Sequence, residues 1–405
     1  MDAGAAAEKV ARTAYGRLVA WLSARTRDIA AAEEALAAAF LRALETWPRT
    51  GVPERPEAWL LSVARNRLND GWRRDKVRTE AEPTLELMMQ DVTEALIFPD
   101  ERLKLMFVCT HPAIDEPVRT PLMLQTVLGL SAERIASAFL VKPAAMGQRL
   151  SRAKSKIRDA GIPFDVPEAG EWAHRLPALL NAIYAAYSLG WGDYAGDGDH
   201  RGLADEAMDL AQSLHGLMAA TAELNGLLAL MLYCEARKAA RFRDGAYISL
   251  DRQDPTVWDW GMIDQANRLL NATDPRALGR FRLEALIQSV HIRRGMTGTT
   301  DWEGIAGLYA ALLKVAPSLA ARTGYAVALT ESGQPEQGLA VLDAMDAARL
   351  ADYQPWWVAR AHVLTVLGDE AARAAYERAI GLSQHPAQRA FLMAKLNAPG
   401  RTGDH

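Results

Sequence analysis

Apolar residues recur at helical spacing wherever the chain can be read clearly. Met146, Leu150, Ala153 and Ile157 follow one another at intervals of four, three and four, which lines a single face of a helix. Leu36, Phe40 and Leu44, joined by Ala32 and Ala43, line another face between Ile29 and Leu44. Beyond Pro56, Trp59, Leu60, Val63 and Leu68 are the inward positions of a third helix. Ala and Leu dominate, β-branched runs are rare, and Pro and Gly punctuate the segments, so almost everything reads as helix. The expected fold class is all-α.

Length and punctuation divide the helices. A chain of 405 residues holds two or three domains, each able to bury its own core. Three or four helices are expected from about 8 to 78, and a small helical unit from 101 to 163. Between them, residues 79–100 carry six acids and no Lys or Arg, the composition of a linker or a weak helix. GIPFDVPEAGEW, residues 161–172, has two prolines and two glycines and marks a boundary, so a chain ending near Pro163 is expected to fold. A larger helical block follows, from 172 to 395. Within it Gly333 and Gly368 stand 35 residues apart, each between two helical segments. Gly338, Leu342 and Met345 in one unit match Ala372, Tyr376 and Ala379 in the next. A period near 34 with such spacing points to TPR-like helix pairs, with other helices or degenerate repeats completing the array.

The stretch with most chemistry is 131–158. It reads as a helix opened by Ser131, a turn, and a second helix that begins at Pro143, where a missing N–H costs nothing. From Lys142 to Arg158 there are six Lys or Arg and no acid. At about 100° per residue, Gln148, Arg152 and Ser155 lie opposite the apolar stripe, with Arg149 and Lys156 on its flank. An apolar back and a front of Arg, Gln and Ser suit the second helix of a helix-turn-helix, which enters the DNA major groove. A second basic cluster runs from Arg65 to Arg78, with Asn66, Asn69 and Trp72 among its cations. Aromatic rings beside basic groups can stack single-stranded bases. Trp59 fits core packing better.

Net charge is −4, unevenly spread. Residues 1–165 carry 24 Lys or Arg against 22 acids, a net +2, and the remainder carries 22 against 28, a net −6. The acidic balance therefore leaves room for a DNA-binding first part. Two cysteines, Cys109 and Cys234, neither make a zinc site alone nor suggest a disulfide framework. No signal-peptide core and no apolar run near 18 residues is present, so a cytoplasmic protein without membrane contact is expected.

ALAAAFLRALETWP with PEAWLLSVARNRLNDGWRR resembles the second conserved region of sigma-70-type RNA polymerase sigma factors of the extracytoplasmic-function group. The stretch from PDERLKLMFVCTHPAIDEPVRTPLML to RAKSKIRDAGIPF resembles the fourth region. SLDRQDPTVWDW (249–260) and TDWEGIAGLY (300–309) are similar to the subgroup with a long TPR-like C-terminal extension. The resemblance implies two small sigma domains followed by a regulatory helical-repeat domain. Promoter DNA and the polymerase core are the implied partners, with a protein or peptide ligand for the extension. Glu33, Glu34, Leu36, Phe40 and Leu44 would face the polymerase core. Arg65, Asn66, Arg67, Asn69, Trp72, Arg73, Arg74 and Lys76 would contact the minus-10 element. Lys142, Gln148, Arg149, Arg152, Ser155, Lys156 and Arg158 would contact the minus-35 element. Ala37 and Ala38 stand where the family usually has Gln–Glu, and AYSLGWGDYAGDGDH replaces its Phe–Asn–Glu–Gly–Tyr run.

The alternative is a helix-turn-helix regulator with a TPR-type sensor, which has no use for the Arg65–Arg78 segment. No nucleophile motif, phosphate loop or dinucleotide fingerprint suggests an enzyme, and no cofactor is expected. Asp197, Asp199 and His200 lie in a Gly-rich loop, where such clusters are mostly turns, so no metal is expected. His291 and His362 read as structural.

Overall fold

In the computed structural model the described residues are 2–75, 101–139, 141–192, 202–218, 221–346, 350–383 and 385–397. Lys76, Arg78, the acidic stretch 79–100 and the Asp197–His200 loop lie outside them. Among the described residues the architecture is all-α apart from one hairpin of two two-residue strands. Contacts divide the chain into two compact units, 1–218 and 219–405.

The first unit opens with α1 (Ala3–Thr26), α2 (Ile29–Thr50) and α3 (Pro56–Asp75), packed on one another. Arg27, in the left-handed region at φ 56°, ends α1, and Asp28 starts α2 by accepting a 3.1 Å bond from the Ala31 amide. Val19, Leu22, Ile29, Leu36, Leu60 and Ala64 are buried, and Trp47 meets Trp59 edge-on at 5.5 Å. Trp59 is thus a packing residue, as its position among inward residues suggests.

Four shorter helices follow: α4 (Glu101–Cys109), α5 (Glu116–Thr126), α6 (Ala132–Ala138) and α7 (Pro143–Asp159). Their core holds Met106, Phe107, Leu122, Leu124 and Ile135, all buried. The stretch 161–172 is a connection inside this unit, because α8 (Ala169–Gly192) packs on α5 and α9 (Leu203–Leu217) packs on α8 and α4. Leu179, Leu180 and Ile183 of α8 are buried. Arg175 donates to the Phe107 carbonyl at 3.1 Å, and Trp172 lies 6.4 Å from the Phe107 ring. Arg102 of α4 forms a buried ion pair with Glu206 of α9.

The second unit contains α10 (Ala222–Glu235), α11 (Trp260–Asn271), α12 (Arg280–Thr297), α13 (Trp302–Val315), α14 (Leu319–Glu331), α15 (Pro335–Asp343), α16 (Gln354–Leu367), α17 (Ala371–Leu382) and α18 (Pro386–Asn397). α10 packs on α11, consecutive helices pack from α12 to α18, and α10 also packs directly on α12, as α14 does on α16. That nearest-neighbour pattern is the mark of a repeat array. Gly333 and Gly368, both at positive φ, turn the chain between α14 and α15 and between α16 and α17, as their spacing predicts. Gly298 at φ 77° does the same between α12 and α13, 35 residues before Gly333, and adds a third pair the sequence pattern leaves unmarked. At Gly338 a Cβ would sit 2.7 Å from the Ala326 carbonyl oxygen, which explains the small residue on the second helix of its pair. The segment between α10 and α11 holds the hairpin, β1 (Phe242–Arg243) and β2 (Ala246–Tyr247). It is tied down by Arg294, which donates to the carbonyls of Leu250 and Gln253, and by Tyr247 against Phe391 of α18.

Candidate nucleic-acid interface

α6, the turn after it and α7 form the helix-turn-helix. Ser131 Oγ accepts the Arg134 amide at 3.4 Å, and Pro143 occupies the first turn of α7 behind Lys142. Met146, Leu150, Ala153 and Ile157 are all buried, so the stripe anchors α7. Burying that side presents the other. Lys142, Gln148, Arg149, Arg152, Lys156 and Arg158 are exposed, and Ser155 is half-buried. Among the described residues Arg149 and Arg152 form no ion pair. Their guanidinium groups and Lys156 rim a groove floored by Ile114, Pro117, Val118 and Ala153. Two cations are engaged at the surface: Lys156 lies 3.6 Å from Asp115, and Arg158 meets Asp159 at 2.9 Å and Asp28 at 3.6 Å.

Lys154, on the same helix, faces inward. It is buried and paired with Glu33 of α2. Burial pushes the Glu33 carboxyl above its usual range, and the Lys154 ammonium opposes that shift. Cys109 lies nearby with its thiol bonded to Thr126, and burial pushes its pKa up to about 12, so it is an unreactive core residue. Periodicity puts Lys154 beside the apolar stripe, but nothing local tells which partner it finds.

Along α3, Asn66 and Arg67 are exposed, and Arg65 and Asn69 are half-buried. Arg67 reaches Glu34 at 3.4 Å across the α2–α3 surface. α3 continues through Trp72, Arg73 and Arg74, whose side chains lie outside the described residues, as does Lys76.

On α2 the residues expected to face the polymerase separate. Leu36 is fully buried and Phe40 half-buried, so Leu36 holds the helix in place and cannot meet a partner. Leu44 is exposed, and so are Ala37, Leu41 and Pro48, which complete a stripe at spacings of four, three and four. Leu41 is 64% exposed, more than Leu44 at 49%, and is absent from the sequence-based set. Its signal was the stripe's second, outward-facing register, which lies beside the inward one.

Residues 10–78 match the family described as Sigma-70 region 2, and residues 175–274 match a family of unknown function (DUF6596). An uncharacterized protein of Rhizobium meliloti is 37% identical over 384 residues, covering 92% of this chain and 90% of that protein. A probable RNA polymerase sigma factor, RfaY of Xanthomonas campestris pv. campestris, is 32% identical over 165 residues, covering 36% of this chain and 40% of that protein. No solved structure matches. Among the described residues no helix is long and apolar enough to cross a membrane. With a region-2 match over the first three helices and a sigma-factor relative, the chain belongs to the sigma-70 family of RNA polymerase sigma factors.

Proposed function

We propose that this sigma factor is of the extracytoplasmic-function type with a TPR-like extension, and that it directs initiation in the cytoplasm by joining the polymerase core to a two-element promoter. In this reading residues 101–163 bind the minus-35 element through Gln148, Arg149 and Arg152. Residues 1–78 bind the minus-10 element through α3 and the polymerase core through Ala37, Leu41 and Leu44. Residues 172–395 regulate initiation, in response to a protein or peptide ligand. The observation that carries the reading is the pairing of surfaces in one compact unit. α7 buries its apolar side and presents the guanidinium groups of Arg149 and Arg152, which form no ion pair among the described residues, while α2 presents an exposed apolar stripe. A repressor that bound DNA alone would not need the second surface.

The test is run-off transcription with purified polymerase core and the full chain on promoters selected from random sequence. Promoter-dependent transcripts are expected. They should be lost in Leu41→Asp with Leu44→Asp and weakened in Arg149→Ala with Arg152→Ala. Sequence-specific DNA binding by the chain with no transcript from any template would instead favour the regulator.

A further inference from the structure

The helices of the second unit pack on near neighbours in the chain, and the hairpin breaks that rule. β2 packs on α18 although α11 to α17 lie between them in sequence. The Tyr247 ring meets Phe391 of α18 edge-on at 5.4 Å, and Phe242 lies 6.2 Å from the His385 ring just before that helix. Further along, Arg294 of α12 donates to the carbonyls of Leu250 at 3.1 Å and Gln253 at 2.9 Å. Asp251 acts electrostatically on Glu331 at the end of α14, which His362 of α16 meets at 2.6 Å. α12, α14 and α16 are the first helices of the three glycine-turned pairs, and α18 is next in that series. Residues 242–253 therefore run across the row of first helices, and helix-pair arrays use such extended faces for binding.

We propose that the face formed by Arg294, His385 and Phe391 is a peptide-docking site, that residues 242–253 are its resident internal ligand, and that the partner it fits is a protein segment of the same chemistry. Such a partner is a tight hairpin with an aromatic ring on each strand, followed by main-chain carbonyls for Arg294. The inference names the ligand class of the extension and rests on the reading of residues 172–395 as a ligand-responsive part. Three observations carry it. An isolated two-stranded hairpin is marginal in water, and here Arg243 to Ala246 are exposed, so the two rings and the Arg294 bonds hold the segment in place. The segment is tethered at both ends by contacts that do not depend on it. Arg237 donates to Gln288 of α12 at 2.5 Å before it, and after it Trp258 is buried so close to Gly295 that a Cβ there would lie 3.0 Å from the ring. Finally, its fit is incomplete, because Ser249 Oγ and Gln253 Oε1 are buried without a hydrogen-bond partner among the described residues. Buried polar groups of a permanent core element are paired as a rule. An incoming segment that pairs or omits those atoms gains over the resident one, which it must displace against a tethered concentration of about millimolar.

The experiment uses the full chain and one probe, a fluorescein-labelled synthetic peptide of residues 240–255. Phe242→Ser with Tyr247→Ser removes both ring contacts of the resident segment. This variant should bind the probe about tenfold or more tighter than the parent does, because the internal competitor is weakened. The gain should vanish when Phe391→Ser is added, and a probe with both of its own aromatic residues replaced by serine should bind neither chain. No gain in the variant, or an equal gain for the serine probe, would overturn the proposal. Amide hydrogen exchange guards against a variant that has simply lost its fold. The Ile248 amide, bonded to the Arg241 carbonyl at 2.8 Å, should exchange about tenfold or more faster in the variant while α12, α14 and α16 keep the parent's rates. Helices that speed up together with Ile248 would make the segment part of the array's core and overturn the docking site. Polymerase and promoter are absent from both readouts. Failure here leaves the sigma-factor reading intact, whereas a parent chain without promoter-dependent transcript would remove that reading and the site's regulatory role, whatever the probe does.

Discussion

Arg152 leaves α7 opposite its buried stripe and Arg149 leaves on its flank, and both are exposed, so removing their side chains disturbs little packing. The alanine variants should therefore melt within about 0.5 kcal/mol of the parent in stability while losing DNA affinity. An arginine paired with a guanine edge is worth about 1–3 kcal/mol and its loss relaxes one base position, whereas a phosphate contact weakens all sequences alike and flattens the salt dependence. Binding titrations on matched and single-base-changed duplexes separate the two, and unchanged binding by the double variant would remove α7 from the recognition role. His291 behaves oppositely, as a residue whose importance is internal. It packs edge-on against Trp302 at 5.3 Å, and burial, with Arg237 and Arg294 nearby, lowers its pKa to about 4. The unfolded chain takes up the proton below about 6.5 and the folded chain does not until about 4, so stability present at neutral pH is lost as pH falls through that window. The loss is at most about 1.4 kcal/mol per pH unit. Urea unfolding at pH 7 and pH 5 should show a larger drop for the parent than for His291→Phe. Parallel drops would mean that another group titrates.

At the scale of one element, α2 is a helix with two registers. Ala32, Leu36, Ala39 and Ala43 are buried, while Ala37, Leu41, Leu44 and Pro48 are exposed. Leu41→Asp with Leu44→Asp should cost little stability, because both side chains already meet water, but should abolish retention of the chain on immobilised polymerase core. Retention equal to the parent would assign the stripe to another partner. α15 makes a different demand. Gly338 faces the Ala326 carbonyl and the Thr330 hydroxyl within van der Waals distance, so Gly338→Leu has to push α15 off α14. A loss of about 1–3 kcal/mol in thermal or denaturant unfolding is expected, as for other overpacked sites. An unaltered midpoint would show that the pair can separate freely.

For the whole molecule, the main consequence concerns where the chain can be cut. The Pro- and Gly-rich stretch 161–172 suggests an end near Pro163, yet Leu179, Leu180 and Ile183 of α8 are buried and Glu206 of α9 neutralises buried Arg102. Removing one partner of a buried pair costs about 3–5 kcal/mol, and the apolar cover of α5 is lost besides. A chain ending at Pro163 should unfold without a cooperative transition or aggregate, whereas one ending at Met218 should melt cooperatively in circular dichroism. A cooperative transition from the shorter chain would restore the boundary at 161–172.

Much of this was legible in the sequence, because it depends on residues a few positions apart. The all-α class, the Met146–Ile157 stripe, the Ser131 cap and the Gly333 and Gly368 turns are consequences of 3.6-residue periodicity and local backbone preference, which tertiary packing left unchanged. The region-2 and helix-turn-helix wording is likewise local. What the sequence by itself could not decide is every relation across long separations. Leu36 and Leu41 are both apolar and both helical, and only the presence of α1 and α3 on one side makes the first a core residue and the second a surface one. Lys154 is one of five cations on its helix, and 121 residues of separation hide its partner Glu33. Arg102 and Glu206 are hidden in the same way across 104 residues. Helical periodicity says which residues share a face. What that face meets is decided by helices far away in the chain, and in this protein the seam between its first three helices and its DNA-reading helix exists only at that level.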